Sequence, residues 1–153
     1  MFCLTTRPRI ALRLLRVEAQ GAPRALHPLV RDDIFRIAGE ALRNAFRHAG
    51  PKQIEVELSY DERRLRLRVR DDGRGIASEV LTQGGRAGHF GLHGMRERAT
   101  LIGGKLTVWS APESGTEVEL SIPAAHPYAT AAASRWRFPF SGKRDDQQPP
   151  SAT

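Results

Sequence analysis

The chain of 153 residues has one cysteine, Cys3, which excludes an internal disulfide framework and a multi-cysteine zinc site. It has no apolar run near the ~20 residues that a membrane-crossing helix requires. Arg7 and Arg9 lie near the N-terminus without a continuous apolar stretch behind them, which argues against a secretory signal. Internal repeats are absent. So is a Gly-x-x-x-x-Gly-Lys-Ser/Thr phosphate loop, and no glycine cluster has Rossmann spacing. What is left is a reduced, cytosolic protein with one domain and tails.

Basic residues exceed acidic ones by seven, but the excess sits mainly at the ends. Residues 1–30 carry +4, residues 124–153 carry +2, and residues 31–123 only +1. A nucleic-acid partner needs a basic patch on the folded surface, and this distribution argues against one.

The expected domain spans residues 9–123, between an extension over 1–8 and a disordered tail over 124–153. The tail is rich in Ala, Ser and Pro and offers little to bury. Its exception is the alternation of Trp136, Phe138 and Phe140. Residues 9–18 read as a strand. Asp32 and Asp33 are expected to open a helix, because acids suit a helix N-terminus. Ile34, Ile37, Ala38, Ala41, Leu42 and Ala45 recur at helical spacing, and Gly50-Pro51 closes the element.

Two alternating runs follow, Ile54–Leu58 and Arg64–Arg70, with a short link that predicts an antiparallel hairpin. Pairing sets the acids Glu55 and Glu57 beside the arginines on one face. Leu92–Ile102 reads as a second helix with Gly103-Gly104 at its end. Lys105–Trp109 and Glu117–Ile122 read as a second hairpin. One sheet face is then apolar and the other charged, so the helices must cover the apolar face. The predicted fold class is a two-layer α/β sandwich with a mixed, mostly antiparallel sheet.

Four constellations carry polar chemistry. Glu40, Asn44 and His48 stand at i, i+4 and i+8, nearly on one helix face beside the apolar stripe. Val69-Arg70-Asp71-Asp72-Gly73-Arg74-Gly75-Ile76 ends a strand in two acids and then turns; an ionised Asp accepts hydrogen bonds only. Gly84 to Met95 is a glycine-rich loop, with Gly88, Gly91 and Gly94 leading into a helix whose N-terminus suits phosphate. Ser114-Gly115-Thr116 precedes the last strand. Each also has a plain structural reading as a polar helix edge, a turn or a surface loop.

Their order resembles the four boxes of the GHKL ATPases, which include histidine kinases, Hsp90 chaperones, DNA gyrase B and MutL. Within that superfamily, residues 40–49 and 88–99 are similar to the catalytic domain of two-component sensor histidine kinases, in the class associated with NarL- or LuxR-like regulators. The resemblance covers about residues 10–123. It implies the Bergerat sandwich, with ATP and Mg²⁺ between the helices and a lid. It also implies roles. Asn44 would coordinate Mg²⁺, Glu40 would position or activate the attacking group, and His48 would lie near the phosphates. Asp71 would accept from the adenine amine, with Gly73, Gly75 and Ile76 shaping the pocket. Gly88, Gly91, Leu92 and Gly94 would flank the lid, and Thr116 would support the adenine end.

A full sensor kinase carries its phosphoacceptor histidine on a dimerising helical hairpin. About 30 residues precede Asp32, too few for two long helices at 1.5 Å per residue. The expected acceptor hairpin and response regulator are therefore on other chains. Two alternatives stand beside this: a stand-alone anti-sigma-type Ser/Thr kinase, and a non-catalytic module that regulates a partner through nucleotide-dependent shape.

Overall fold

The computed structural model describes residues 14–82 and 91–128. The elements are β1 (Leu14–Gln20), α1 (Pro28–Asn44), β2 (Gln53–Tyr60), β3 (Arg64–Asp71), the short α2 (Ser78–Thr82), α3 (Leu92–Leu101), β4 (Lys105–Ser110) and β5 (Thr116–Pro123). One π-helical turn, Ala45–Ala49, extends α1. The sheet order is β1-β2-β3-β5-β4, with β1 parallel to β2 and every other pair antiparallel. The two-layer sandwich expected from the alternating runs is the fold observed.

Side-chain parity builds the core. The β2–β3 register sets Val56 opposite Val69, Leu58 opposite Leu67 and Tyr60 opposite Leu65, with Ile54 opposite Asp71, and the β3–β5 register continues these rows to Val118, Leu120 and Ile122. Val30, Ile34, Ile37 and Ala41 of α1, with Met95 and Ala99 of α3, close over that face in one cluster. On the open face Glu57 pairs across the hairpin with Arg68 at 2.7 Å and Arg66 at 3.4 Å. This is the acidic row beside the basic row that the sequence predicts.

Several boundaries differ from expectation. Helix α1 opens at Pro28, one turn before Asp32. Proline suits the first helical position because its missing N–H has no partner to lose there, and His27 Nδ1 caps by accepting the Leu29 N–H at 3.4 Å. Asp33 accepts instead from Arg98 at 3.1 Å, tying α1 to α3. The first strand runs to Gln20 rather than stopping at residue 18, while residues 9–13 lie outside the described residues.

The fold also continues past Pro123. Tyr128 is buried and bridges Leu26, its hydroxyl donates to the Asp61 carbonyl at 3.0 Å, and the Arg24 guanidinium lies 3.7 Å over its ring. The rest of the tail, the extension over 1–8 and the segment 83–90 lie outside the described residues. Among the described residues no helix is long and apolar enough to cross a membrane.

Candidate nucleotide site

The β3–β5 register sets Asp71 opposite Thr116 and Val69 opposite Val118. All four lie on the helix-covered face, at the end of the sheet where β3 stops and β5 begins. They line one side of a pocket. Ala41, Asn44, Ala45, His48 and Ala49 of α1 and its π turn form another side, and Gly75, Ile76 and Leu92 complete the lining. The alanines leave room because they carry no side chain beyond Cβ. A π turn inside an α-helix is uncommon and tends to mark functional sites.

Asp71 is the one buried charged or polar side chain among the described residues, at 7% exposure. Burial pushes its carboxyl above the ordinary carboxylate range and the neighbouring Asp72 adds to that, against the pull of the Gly73 and Thr116 N–H groups. The Gly73 N–H donates to Oδ1 at 2.9 Å. Asp72, one residue on, does something different. Its Oδ1 accepts the backbone N–H groups of Lys52 and Gln53 at 2.8 and 2.9 Å, fastening the turn to the start of β2.

The turn after β3 is tied down on both sides. The Arg74 N–H donates to the Ala49 carbonyl at 2.9 Å, its guanidinium donates to the His48 carbonyl at 3.0 Å, and its own carbonyl accepts from Glu113 at 2.7 Å. Ser110 Oγ accepts the Ile76 N–H at 2.7 Å, donates to the Gly115 carbonyl at 2.8 Å and lies 2.9 Å from Thr116 Oγ1. Gly75 sits at φ +74°, where a Cβ would meet the Ala111 carbonyl oxygen at 2.0 Å, so only glycine fits. Gly73 packs on Ala49, also without room for a Cβ.

The structure thus brings Asn44, His48, Asp71, Gly75, Ile76, Leu92 and Thr116 together around one pocket, with Gly73 immediately behind it. Glu40 is not in that lining. It borders an adjoining groove with Arg36, Arg43, Gly91, Gly94, Met95 and Arg98, and forms an ion pair with Arg43. A four-residue step on an α-helix turns ~40° past a full circle, which rotates Glu40 away from Asn44. Gly91 caps α3 at φ +64° against the Glu40 carboxylate, whereas Gly94 has open space beside it. Gly88 lies outside the described residues. The alanine wall, Val69, Val118, Arg74 and Ser110 are site-building residues to which the motif reading gave no role. Parity would have found the valines, since each sits two residues from a marked position.

The family model for "Histidine kinase-, DNA gyrase B-, and HSP90-like ATPase" matches residues 29–126, which contain every element of the pocket. The chain belongs to this ATPase family. Its ATPase-family domain is homologous to the catalytic domains of sensor histidine kinases. The chain is 39% identical over 94 residues to the sensor histidine kinase LiaS of Bacillus subtilis, covering 61% of this chain and 25% of LiaS. It is 39% identical over 95 residues to the sensor protein VraS of Staphylococcus aureus, covering 61% of this chain and 26% of VraS. It thus spans about a quarter of the length of the curated relatives it matches.

The histidine kinase domain of the Erythrobacter litoralis EL346 blue-light activated histidine kinase superposes with TM-score 0.58 at 27% identity, over 72% of this chain and 55% of that one. The ATP binding domain of PrrB from Mycobacterium tuberculosis shares the fold, with TM-score 0.53 at 20% identity over 71% and 79% of the two chains.

The donor set fits a purine and a hydrated cation. An apolar slot ending in one buried acceptor suits a flat ring carrying an exocyclic amine. Among the described residues no group of three or more His, Cys, Asp or Glu side chains could hold a metal alone. Asn44 offers one hard amide oxygen, which suits a Mg²⁺ that keeps its waters and its phosphate ligands.

Proposed function

We propose that this domain binds Mg·ATP in the pocket between β3, β5 and α1 and presents the γ-phosphoryl group to a histidine on a helical hairpin of another chain, from which a response regulator is charged. The observation that carries the reading is Asp71, the one buried carboxylate among the described residues, in the lining of a largely apolar slot. The Gly73 and Thr116 N–H groups hold this carboxylate in place, and its remaining acceptor capacity suits the adenine amine.

In this reading Asp71 and Thr116 read the adenine edge, while Val69, Val118 and Ile76 enclose the ring. Asn44 holds the Mg²⁺ that neutralises the triphosphate. His48, exposed at the rim, stands by the phosphates, and the N-terminus of α3 at Gly91 and Leu92 faces the same end. Glu40, in the neighbouring groove, orients the incoming imidazole. Such transfer rests on positioning and charge neutralisation more than on covalent help from the protein.

The test is phosphoryl transfer in trans. Incubated alone with labelled Mg·ATP, the chain acquires no acid-labile phosphate. With a separately produced dimerising hairpin of a related kinase, label appears on the hairpin, and Glu40→Gln removes it. Stoichiometric acid-labile label on the chain alone overturns the reading, and acid-stable label on a partner replaces it with a Ser/Thr kinase.

A further inference from the structure

Among the described residues β1 pairs on one side only, with β2, and stands at the end of the sheet. One contact fixes which way its backbone groups point. The Leu14 N–H donates to the Lys52 carbonyl at 3.2 Å, so Leu14, Arg16, Glu18 and Gln20 bond toward β2. Alternate residues turn the other way, and Leu15, Val17 and Ala19 present their N–H and C=O groups along the open edge. The side chains of that row are apolar and continue the row of β2 through Leu15↔Ile54 and Val17↔Val56. Ile54 is fully buried, yet Leu15 is 46% and Val17 69% exposed, so the helical layer stops short of this strand. An uncovered edge with an apolar face invites another strand.

We propose that β1 pairs with β1 of a second copy, antiparallel about a two-fold axis at Val17, so that two sheets join into one. Backbone parity and charge select this register. The groups of Leu15, Val17 and Ala19 can bond only to the same groups of the second copy, and the longest overlaps that satisfy this centre on Arg16, Val17 or Glu18. Centring on Arg16 sets two arginines face to face, and centring on Glu18 sets two glutamates. Centring on Val17 overlaps the whole strand and sets each Arg16 opposite the Glu18 of the other copy. Those are the close, non-hydrogen-bonded positions, where side chains across two strands approach most nearly.

On the helix side the same register sets Val17 beside Val17 and Leu15 beside Ala19, an apolar ribbon shared by both copies. The strand Leu-Leu-Arg-Val-Glu-Ala-Gln is therefore complementary to itself when reversed. Within one copy Arg16 already bonds to Glu18 at 2.7 Å with both side chains exposed, so the two charges can regroup across the axis without leaving water. Charged residues on an edge normally repel a second strand. Opposite charges placed symmetrically about an apolar centre admit one partner, the strand itself. Strand addition of this kind takes affinity from the main chain and selectivity from the alternate side chains. Strand β2 stands between this edge and the pocket strands β3 and β5, so pairing leaves the nucleotide site open.

Sedimentation equilibrium of the full chain tests the pairing. The mass should rise from one chain toward two over about 10–500 µM, as for a small interface. Arg16→Glu alone and Glu18→Arg alone each bring like charges together in a self-pair. Each should weaken association about tenfold or more with unchanged circular dichroism. Mixed in equal amounts, the two variants should associate as the parent does, because one edge is then all acidic and the other all basic. Val17→Pro removes an N–H that faces the open edge and none that β2 uses, so it should abolish association and keep the fold. A parent that stays monomeric over the whole range overturns the proposal. So do mixed variants that stay apart, and so does association that survives Val17→Pro.

Discussion

The two faces of β3 carry opposite kinds of charge. Toward solvent stand Arg64, Arg66, Arg68 and Arg70, flanked by Glu55 and Glu57 of β2 and by Glu117 and Glu119 of β5. Toward the helices stand Leu65, Leu67, Val69 and, at the strand's last residue, Asp71. On the open face burial would raise the Glu57 carboxyl, but hydrogen bonds from Ser59 and Arg68 and the charges of Arg68 and Arg66 hold it below the ordinary range. On the covered face burial wins and Asp71 is pushed up. Abundant charge with ready partners stabilises little and specifies register. A single charge held out of water destabilises the empty protein and marks where a ligand belongs.

The sharpest way to break this contrast is to disturb the turn that holds the pocket end. Gly75→Ala forces a Cβ against the Ala111 carbonyl in a left-handed backbone and should cost about 3 kcal/mol in a denaturant melt. Gly94→Ala, on α3 with open space beside it, should be neutral or stabilise by about 0.5–1 kcal/mol. Equal effects at the two glycines would mean that the turn is not built tightly around the pocket.

Asp71→Asn comes next. It should weaken ATP by roughly ten- to a hundred-fold in calorimetry and erase a similar preference for ATP over GTP, as expected for a hydrogen bond to a charged group worth ~1.5–3 kcal/mol. The same change should raise the stability of the empty protein at neutral pH. The folded state holds the Asp71 proton at pH values where the unfolded chain has released it. Stability therefore falls as pH rises from the unfolded value through the raised folded value, and the variant should lose that slope. Equal affinity for ATP and GTP in the parent would remove Asp71 from base recognition.

The smallest effect belongs to the open face. Glu57→Gln should cost under about 1 kcal/mol, because its arginine partners are about one-third exposed. The sign is opposite to that of Asp71. The Glu57 contribution is present above the unfolded carboxylate value and is lost as pH falls through the lowered folded one, so parent and variant should converge in acid and at high salt. A loss as large as that from Gly75→Ala would show the charged face to be more than a register device.

The hairpins were legible because their alternation is strict and their links are short. The hairpin spanning residues 54–70 formed in the register that its charges favour. Helix α1 was legible in its stripe but not in its start, since His27 and Pro28 cap it in a way that the acids at 32 and 33 disguise. Tyr128 was read as tail because composition around it is that of a tail; its burial depends on Leu26, Arg24 and Asp61, all more than 60 residues away in sequence. In the site, motif spacing found Asn44 and Asp71. The resemblance picked Asp71 over the adjacent, chemically identical Asp72; that Asp71 is the buried one of the two follows only from the sheet register.

Strand period, helical stripe and the order of four polar boxes are local properties, and sequence alone determined them: a mixed sheet under helices and an ATPase family. Tertiary structure decided which carboxylate is buried, because successive strand residues face opposite ways and only pairing with Thr116 turns Asp71 inward. It decided that Glu40 stands in the next groove, and that Arg74 and Ser110 hold the turn. It also left the apolar row of β1 uncovered. These outcomes depend on which distant segment arrives at a given surface, and no local pattern encodes that.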